Sequence, residues 1–285
     1  MDYQLKSSNM IPKFGIGTWC IGEEERKRKK ETDAIIYALE NGVRLIDTAE
    51  MYGNGGAELL IGEALKKANI KREELFIISK VYPHNAGKSS LFKSLKASLK
   101  RLELEYLDMY LLHWRGRIPL SETVECMEEA KKEGLIKDWG VSNFDIDDMK
   151  ELESVKDGDK CVLNQVLYHL GSRGIDFDLV PYLNERNISL MTYSPLGRAG
   201  ELCKNIFRSE IVLQIAEKHH ITAAQVALAF ITNLNDNRIP IPKSSNKKHV
   251  LDNIKSQDIK LDDEDMYILN KEFPKPDRKM PLDIV

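Results

Sequence analysis

An aspartate, a tyrosine, a lysine and a histidine, each at or just beyond the end of an apolar run, are the residues of this chain best suited to chemistry. Asp47 and Tyr52 stand five positions apart in RLIDTAEMYGNGG (44–56), Lys80 ends LFIISK, and His113 closes LDMYLLH. An ammonium driven against apolar surroundings needs a partner to stay charged, and Asp47 is the obvious one. Two readings stand for that pair: a structural ion pair that closes the top of the fold, or part of a reactive site. In the second, a lysine beside Tyr52 stabilises the ionised phenol, lowering a pKa that is ~10 when unperturbed and suiting Tyr52 to act as an acid near neutral pH. His113 is a hydrogen-bonded core residue on one reading; on the other it donates a hydrogen bond to a substrate oxygen and steers it toward Tyr52. The glycines of GNGG lack a following Lys-Ser/Thr pair and do not form a phosphate loop. They read as a turn into AELLIGEAL that lets Tyr52 stand over Asp47 and Lys80.

The elements that must position these groups alternate along the chain. Eight strand-like runs, FGIGTW, VRLIDTA, LFIISKV, LDMYLLHW, IKDWGVSN, VLNQVLY, ISLMTYS and RIPIPKS, are separated by helical patterns such as AELLIGEALKKA, SSLFKSLKASLKRL, SETVECMEEAKKEG and TAAQVALAFITNL. Eight βα pairs with no linker rich in Pro, Gly or Ser predict an α/β fold, a single (β/α)8 TIM barrel domain over 1–285. YQL and the turn SSN predict an N-terminal β-hairpin at the barrel bottom, and DDEDMYILNKEF an extra C-terminal helix. Barrels carry chemistry at the C-terminal ends of their strands. The polar and aromatic residues there are Thr18, Trp19, Asp47, Lys80, His113, Trp114, Ser142, Asn143, Asn164, Gln165, Tyr193, Ser194, Lys243 and Ser244. Asp108, near the start of its strand, should face the bottom and serve structure. His84, His169, His219 and His220 read as surface or packing residues.

Composition narrows the function. Of 285 residues, 42% are hydrophobic and 31% charged, while the net charge is only −3; neither nucleic acid nor an anionic membrane surface is expected as a partner. The mixed-sign run EEERKRKKE leads into periodic apolar positions and reads as a solvated helix start. Cys20, Cys126, Cys161 and Cys203 are scattered without metal-ligand spacing, which predicts free thiols in a reducing compartment and no metal. With no secretory head and no apolar run of ~18 residues, a cytoplasmic location is expected.

The segments GIGTW, RLIDTAEMYG, SKV, LLHW, GVSNF, NQV, YSPLG and IPIPKS resemble the motifs of the aldo-keto reductase family over essentially the whole chain. The resemblance implies that Tyr52, Asp47, Lys80 and His113 are the catalytic tetrad of a nicotinamide-dependent carbonyl reductase. Tyr52 would then protonate the carbonyl oxygen, Lys80 lower the tyrosine pKa, Asp47 hold Lys80, and His113 orient the substrate. It also implies that Tyr193 stacks on the nicotinamide and that Ser142, Asn143 and Gln165 bind its carboxamide. Ser194, Pro195, Leu196 and Gly197 would hold the pyrophosphate. Lys243 and Ser244 would contact a 2′-phosphate, favouring NADP(H) with NAD(H) as the alternative, and Asn253 would face the adenine. Gly17, Thr18, Trp19, Arg198, Ile241, Ser245, His249 and Asp252 complete the implied cofactor set. His249 stands where many members carry an arginine, and it offers less to phosphate and adenine.

LLHWRG, NQVLYHLGSRGI and PLDIV look closest to bacterial members described as methylglyoxal reductases. Trp19, Tyr82 and Trp114, beside Tyr52 and His113, would line a compact aromatic pocket for 2-oxoaldehydes and other small carbonyls. A monomer or weak homo-oligomer is expected. Three other functions fit parts of the pattern: the reverse oxidation of alcohols or polyols, a lyase using Lys80 as Schiff-base nucleophile, and a cofactor-sensing regulatory subunit.

Overall fold

The computed structural model describes residues 2–197, 201–234 and 238–284. Strands β1 (Asp2–Gln4) and β2 (Met10–Pro12) pair antiparallel, with Ser8 in the left-handed region at φ 75° in the turn between them. Eight parallel strands follow in chain order: β3 (Gly15–Gly17), β4 (Leu45–Asp47), β5 (Phe76–Val81), β6 (Leu107–Leu112), β7 (Ile136–Ser142), β8 (Leu163–Leu167), β9 (Ser189–Tyr193) and β10 (Arg238–Pro240). The Gly17 N–H donates to Pro242 O at 3.2 Å, just past the last strand, which draws β10 and β3 together and nearly closes the barrel.

Around this barrel run α1 (Glu25–Glu40), α2 (Gly56–Ala68), α3 (Leu91–Leu102), α4 (Leu120–Lys132), α5 (Ile146–Ser154) and α6 (Leu179–Glu185). They are followed by α7 (Glu201–Arg208), α8 (Glu210–Lys218), α9 (Ala223–Thr232), α10 (Lys247–Lys255) and α11 (Asp263–Glu272). Between β9 and β10, where the sequence shows the helical pattern TAAQVALAFITNL, the structure has α7, α8 and α9. The extra C-terminal helix is α11, held to α8 by Asp265, which takes Lys218 Nζ at 2.8 Å and His219 Nε2 at 2.6 Å. The predicted strand RIPIPKS shrinks to Arg238–Pro240 because Pro240 and Pro242 have no N–H to continue the ladder. Lys243 is thereby left exposed in the loop that follows.

Alternation along each strand sends every second residue inward. Leu45, Ile78, Met109, Leu111, Leu163, Met191 and Ile239 fill the barrel interior, and Leu5 and Ile11 of the hairpin pack into the same cluster from below. Ile46, Ile77, Tyr110 and Trp139 instead join the outer core with Ile35, Leu60, Leu95 and Val124 of the helices. The same parity carries Asp47, Lys80, His113, Gln165 and Tyr193 inward, one layer above the apolar plug. Asp108 lies at the opposite end. Its carboxylate accepts from Ile77 N at 2.9 Å and pairs with Arg72 and Lys137 at 2.7 and 2.8 Å, the structural role its position predicts.

Candidate active site

A cavity of about 490 Å³ opens at the C-terminal ends of the strands. Its lining includes Gly17, Trp19, Cys20, Asp47, Met51, Tyr52, His113, Ser142, Asn143, Gln165 and Tyr193, then Ser194–Gly197, Ile241, Pro242 and Lys243. Lys80 is fully buried beneath it. Its Nζ lies 2.7 and 2.8 Å from the two oxygens of Asp47, and it donates to Thr48 O at 2.9 Å and to the Tyr52 hydroxyl oxygen at 3.1 Å. With its N–H groups spent on these acceptors, Lys80 has no lone pair to offer unless the whole cluster is broken, which argues against a Schiff-base role. Gln165 Nε2 donates to Asp47 Oδ1 at 2.7 Å, fixing the carboxylate from the other side.

Tyr52 reaches this cluster because the chain doubles back just after it. Gly53, Asn54 and Gly55 all adopt left-handed conformations, with φ of 57°, 52° and 87°, and the next residue starts α2. At Gly56 the backbone passes so close to Gly22 that an added Cβ would sit 2.3 Å from Gly22 O. The GNGG stretch is therefore a turn that aims the phenol, as its sequence predicts. His113 stands beside it, the ring centroids 5.7 Å apart and nearly perpendicular.

Burial dominates the electrostatics. It pushes the Asp47 carboxyl up and the Lys80 ammonium down, while their mutual attraction and hydrogen bonds oppose both shifts. The expected lowering of the Tyr52 pKa is not the net result. Desolvation first, and then the Asp47 charge, hold the phenol well above its ordinary value. Tyr52 is thus a protonated phenol whose oxygen already accepts from Lys80, leaving its own proton to donate. Burial, with the Lys80 charge, lowers His113 to about 2, so the imidazole is neutral and carries one N–H.

The polar wall opposite is interlinked. Tyr193 OH donates to Asn143 Oδ1 at 2.8 Å, Asn143 Nδ2 donates to His113 O at 3.1 Å, and Ser142 Oγ donates to Gln165 O at 2.8 Å. Asn143 holds this position with φ 56°, its N–H donating to Gln165 O. Ser194–Gly197 forms a tight turn closed by Gly197 N–H to Ser194 O at 2.8 Å, and its residues face the cavity. The Tyr193 ring, the amide groups of Asn143 and Gln165 and an exposed Lys243 bring an aromatic face, amide groups and a cation to one cavity wall.

Some predicted site residues lie elsewhere. Thr18 is fully buried and donates to Asp47 O at 2.9 Å, a bracing contact. Asn164 donates to Phe144 O at 2.9 Å and is buried away from the cavity lining. Tyr82 and Trp114 are not among the lining residues; they form an aromatic chain beside it, with Tyr82–Trp114 centroids 5.9 Å and His113–Trp114 4.9 Å apart. Ser244 and Ser245 precede α10, His249, Asp252 and Asn253 lie on it, and none of the five is among the cavity lining. Arg198 falls outside the described residues. Cys20, Met51 and Pro242 line the cavity without having been predicted; each adjoins a predicted residue, and that adjacency was the only signal. Among the described residues no group of His, Cys, Asp or Glu could hold a metal, and no helix is long and apolar enough to cross a membrane.

Known proteins share both sequence and architecture with this chain. The profile of the aldo/keto reductase family matches residues 13–271. Methylglyoxal reductase YeaE of Escherichia coli (strain K12) is 44% identical over 282 residues, covering 99% of this chain and 98% of that protein. The glyoxal reductase of Bacillus subtilis (strain 168) is 36% identical, covering 96% and 95%. The crystal structure of an aldo/keto reductase from Klebsiella pneumoniae in complex with NADP and acetate matches with a TM-score of 0.95 at 42% identity, covering 100% of this chain and 99% of that one. The eight-stranded barrel thus has direct counterparts among solved structures, and the chain belongs to the aldo/keto reductase family of oxidoreductases.

Proposed function

We propose that the protein is an NADPH-dependent reductase of small aldehydes and ketones, with 2-oxoaldehydes such as methylglyoxal as its substrate class and Tyr52 as proton donor. The observation that carries this reading is the hydrogen bond from Lys80 Nζ to the Tyr52 oxygen at the floor of the cavity. It leaves the phenol proton for a substrate oxygen and keeps a cation in place for the phenolate that results. The reductase names of the relatives and the NADP held by the Klebsiella enzyme support it.

The residues present fit the cofactor. Tyr193 offers a face for the nicotinamide, Ser142, Asn143 and Gln165 its carboxamide contacts, and Ser194–Gly197 the pyrophosphate turn. Gln165 suits this role because Asp47 takes its Nε2, which leaves Oε1 to accept from an amide. Lys243 and Ser244 would take the 2′-phosphate, with Ser245, His249, Asp252 and Asn253 along the adenosine. Bound nicotinamide supplies the hydride. His113, neutral, donates its single N–H to the substrate oxygen and orients it; Tyr52 then gives its proton to that oxygen as charge develops there. Asp47 holds Lys80 in position throughout. The same groups run in reverse would oxidise the alcohol.

The test follows NADPH absorbance with methylglyoxal for the wild type and Tyr52→Phe. Loss of the proton donor is expected to lower kcat about 10²–10⁴-fold while NADPH still binds. A wild type inert toward every small carbonyl, or a Tyr52→Phe enzyme at full rate, would sink the reading.

A further inference from the structure

Glu50 lies on the loop that follows β4, between Asp47 and Tyr52, and its side chain turns away from both. Its carboxylate Oε1 accepts the Tyr82 backbone N–H at 2.8 Å and Asn85 Nδ2 at 3.2 Å. Its own backbone N–H reaches Lys80 O at 3.4 Å, a long bond that keeps the loop alongside the end of β5. One side chain therefore ties the loop carrying Tyr52 to the short turn Pro83–Asn85 that follows β5.

What that turn presents is aromatic. The Tyr82 ring stacks on His84 at 4.8 Å and meets Trp114 edge-on at 5.9 Å, and Trp114 lies 4.9 Å from His113 at the cavity. Stacked and edge-on rings hold their preferred geometry only while their backbones stay put. The Tyr82 backbone is held by a hydrogen bond to a charged acceptor, which is stronger than a neutral one.

We infer that Glu50 is a positioning residue for substrate selection: it fixes the Tyr82–Asn85 turn, and with it the Tyr82 and Trp114 rings that back His113 from beside the cavity, so that the site favours small carbonyls. The inference rests on the proposed reductase function and goes beyond it, because the Glu50 carboxylate is bound to Tyr82 and Asn85 and does not line the cavity. Glu50→Gln retains an Oε1 acceptor in the same place and preserves the tie; Glu50→Ala removes it.

For the purified full-length protein, the parameters to compare are those for methylglyoxal and for the bulkier 4-nitrobenzaldehyde. Loss of an acceptor shared by two donors is expected to raise the methylglyoxal KM about tenfold in Glu50→Ala. Its kcat and NADPH affinity should stay within about twofold of wild type, and relative kcat/KM should shift toward the bulky aldehyde. Glu50→Gln should behave as wild type. Unchanged selectivity in Glu50→Ala, or a fall in kcat and NADPH affinity that Gln fails to restore, would overturn the inference. Amide hydrogen exchange across 82–86 reads the same tie without turnover: faster exchange in Ala but not in Gln supports it, and equal protection in all three overturns it. A wild type inert toward every small carbonyl would count against the reductase reading alone, since the exchange result still decides the tie.

Discussion

Lys80 Nζ sits 3.1 Å from the Tyr52 oxygen and donates to it, so the residue proposed as the acid is held by a cation placed to stabilise its conjugate base. The same ammonium is bound to Asp47 and is wholly buried. Geometry, rather than a lowered resting pKa, is what suits Tyr52 to the proposed role: burial keeps the phenol protonated, and the adjacent Lys80 would lower the cost of a phenolate as the proton left.

Asp47 and Lys80 should be strongly coupled in stability. Asp47→Asn or Lys80→Met alone strands one buried charge, which costs about 3–5 kcal/mol, whereas removing both leaves none to strand. Denaturant unfolding of the two single variants and the double variant is expected to show the double as less destabilised than the sum of the singles. Additive losses would mean that the pair is not the unit inferred from the distances.

His113 should give stability a dependence on acid pH. Its folded-state pKa of about 2 lies far below the ordinary 6.5, so between these values the unfolded chain binds a proton that the native one does not. The stabilising contribution is complete above pH 6.5 and falls by ~1.4 kcal/mol per pH unit as pH drops below that value. His169, lowered by burial to about 4, adds a similar slope that ends sooner. Urea unfolding at several values between pH 4.5 and 7 should show His113→Asn losing about one proton's worth of this slope. An identical slope in the variant would show the imidazole to be less desolvated than its burial implies.

The site was legible in the sequence where alternation decides the outcome. Once Leu45, Ile78, Met109 and Met191 are read as facing the barrel interior, Asp47, Lys80, His113 and Tyr193 follow at even spacing, and the eight βα pairs set the barrel around them. Gln165 is placed the same way. What sequence left hidden depends on packing between distant segments. The contact of Gly56 with Gly22 and the reach of Glu50 to Tyr82 join segments more than 30 positions apart, and the net direction of the Tyr52 shift is set first by burial, which only the packed fold creates. Helices α7 and α8 carry no motif, and Tyr82 and Trp114 meet each other edge-on beside the cavity lining, a packing that neighbouring sequence does not announce.

Gly56→Ala should damage the site from outside it. The residue has ordinary helical φ, so backbone conformation is no obstacle, but the new methyl would lie 2.3 Å from Gly22 O and the turn must move. Overpacking of this kind costs about 1–3 kcal/mol, and a displacement of Tyr52 by ~1 Å can cost about 10²-fold in rate. Thermal unfolding and kcat with methylglyoxal, measured together, are expected to fall while NADPH affinity holds. Wild-type kcat in a folded Gly56→Ala protein would show that the phenol is aimed by something other than this contact.

Cofactor choice should respond to two residues separately. Lys243 is exposed at the cavity lining, and His249 lies in the first turn of α10, where a planar, permanently charged fork would serve a phosphate better. Removing a charge-assisted contact, worth ~1.5–3 kcal/mol, predicts that Lys243→Ala raises the NADPH KM about 10–150-fold. The NADH KM should barely move, because NADH has no 2′-phosphate to lose. His249→Arg should act in the opposite direction, tightening NADPH with little change for NADH, and added salt should erode that gain because the contact is exposed. Steady-state kinetics with both nucleotides at low and high salt decide the matter. A Lys243→Ala enzyme weakened equally toward NADPH and NADH would place the 2′-phosphate elsewhere.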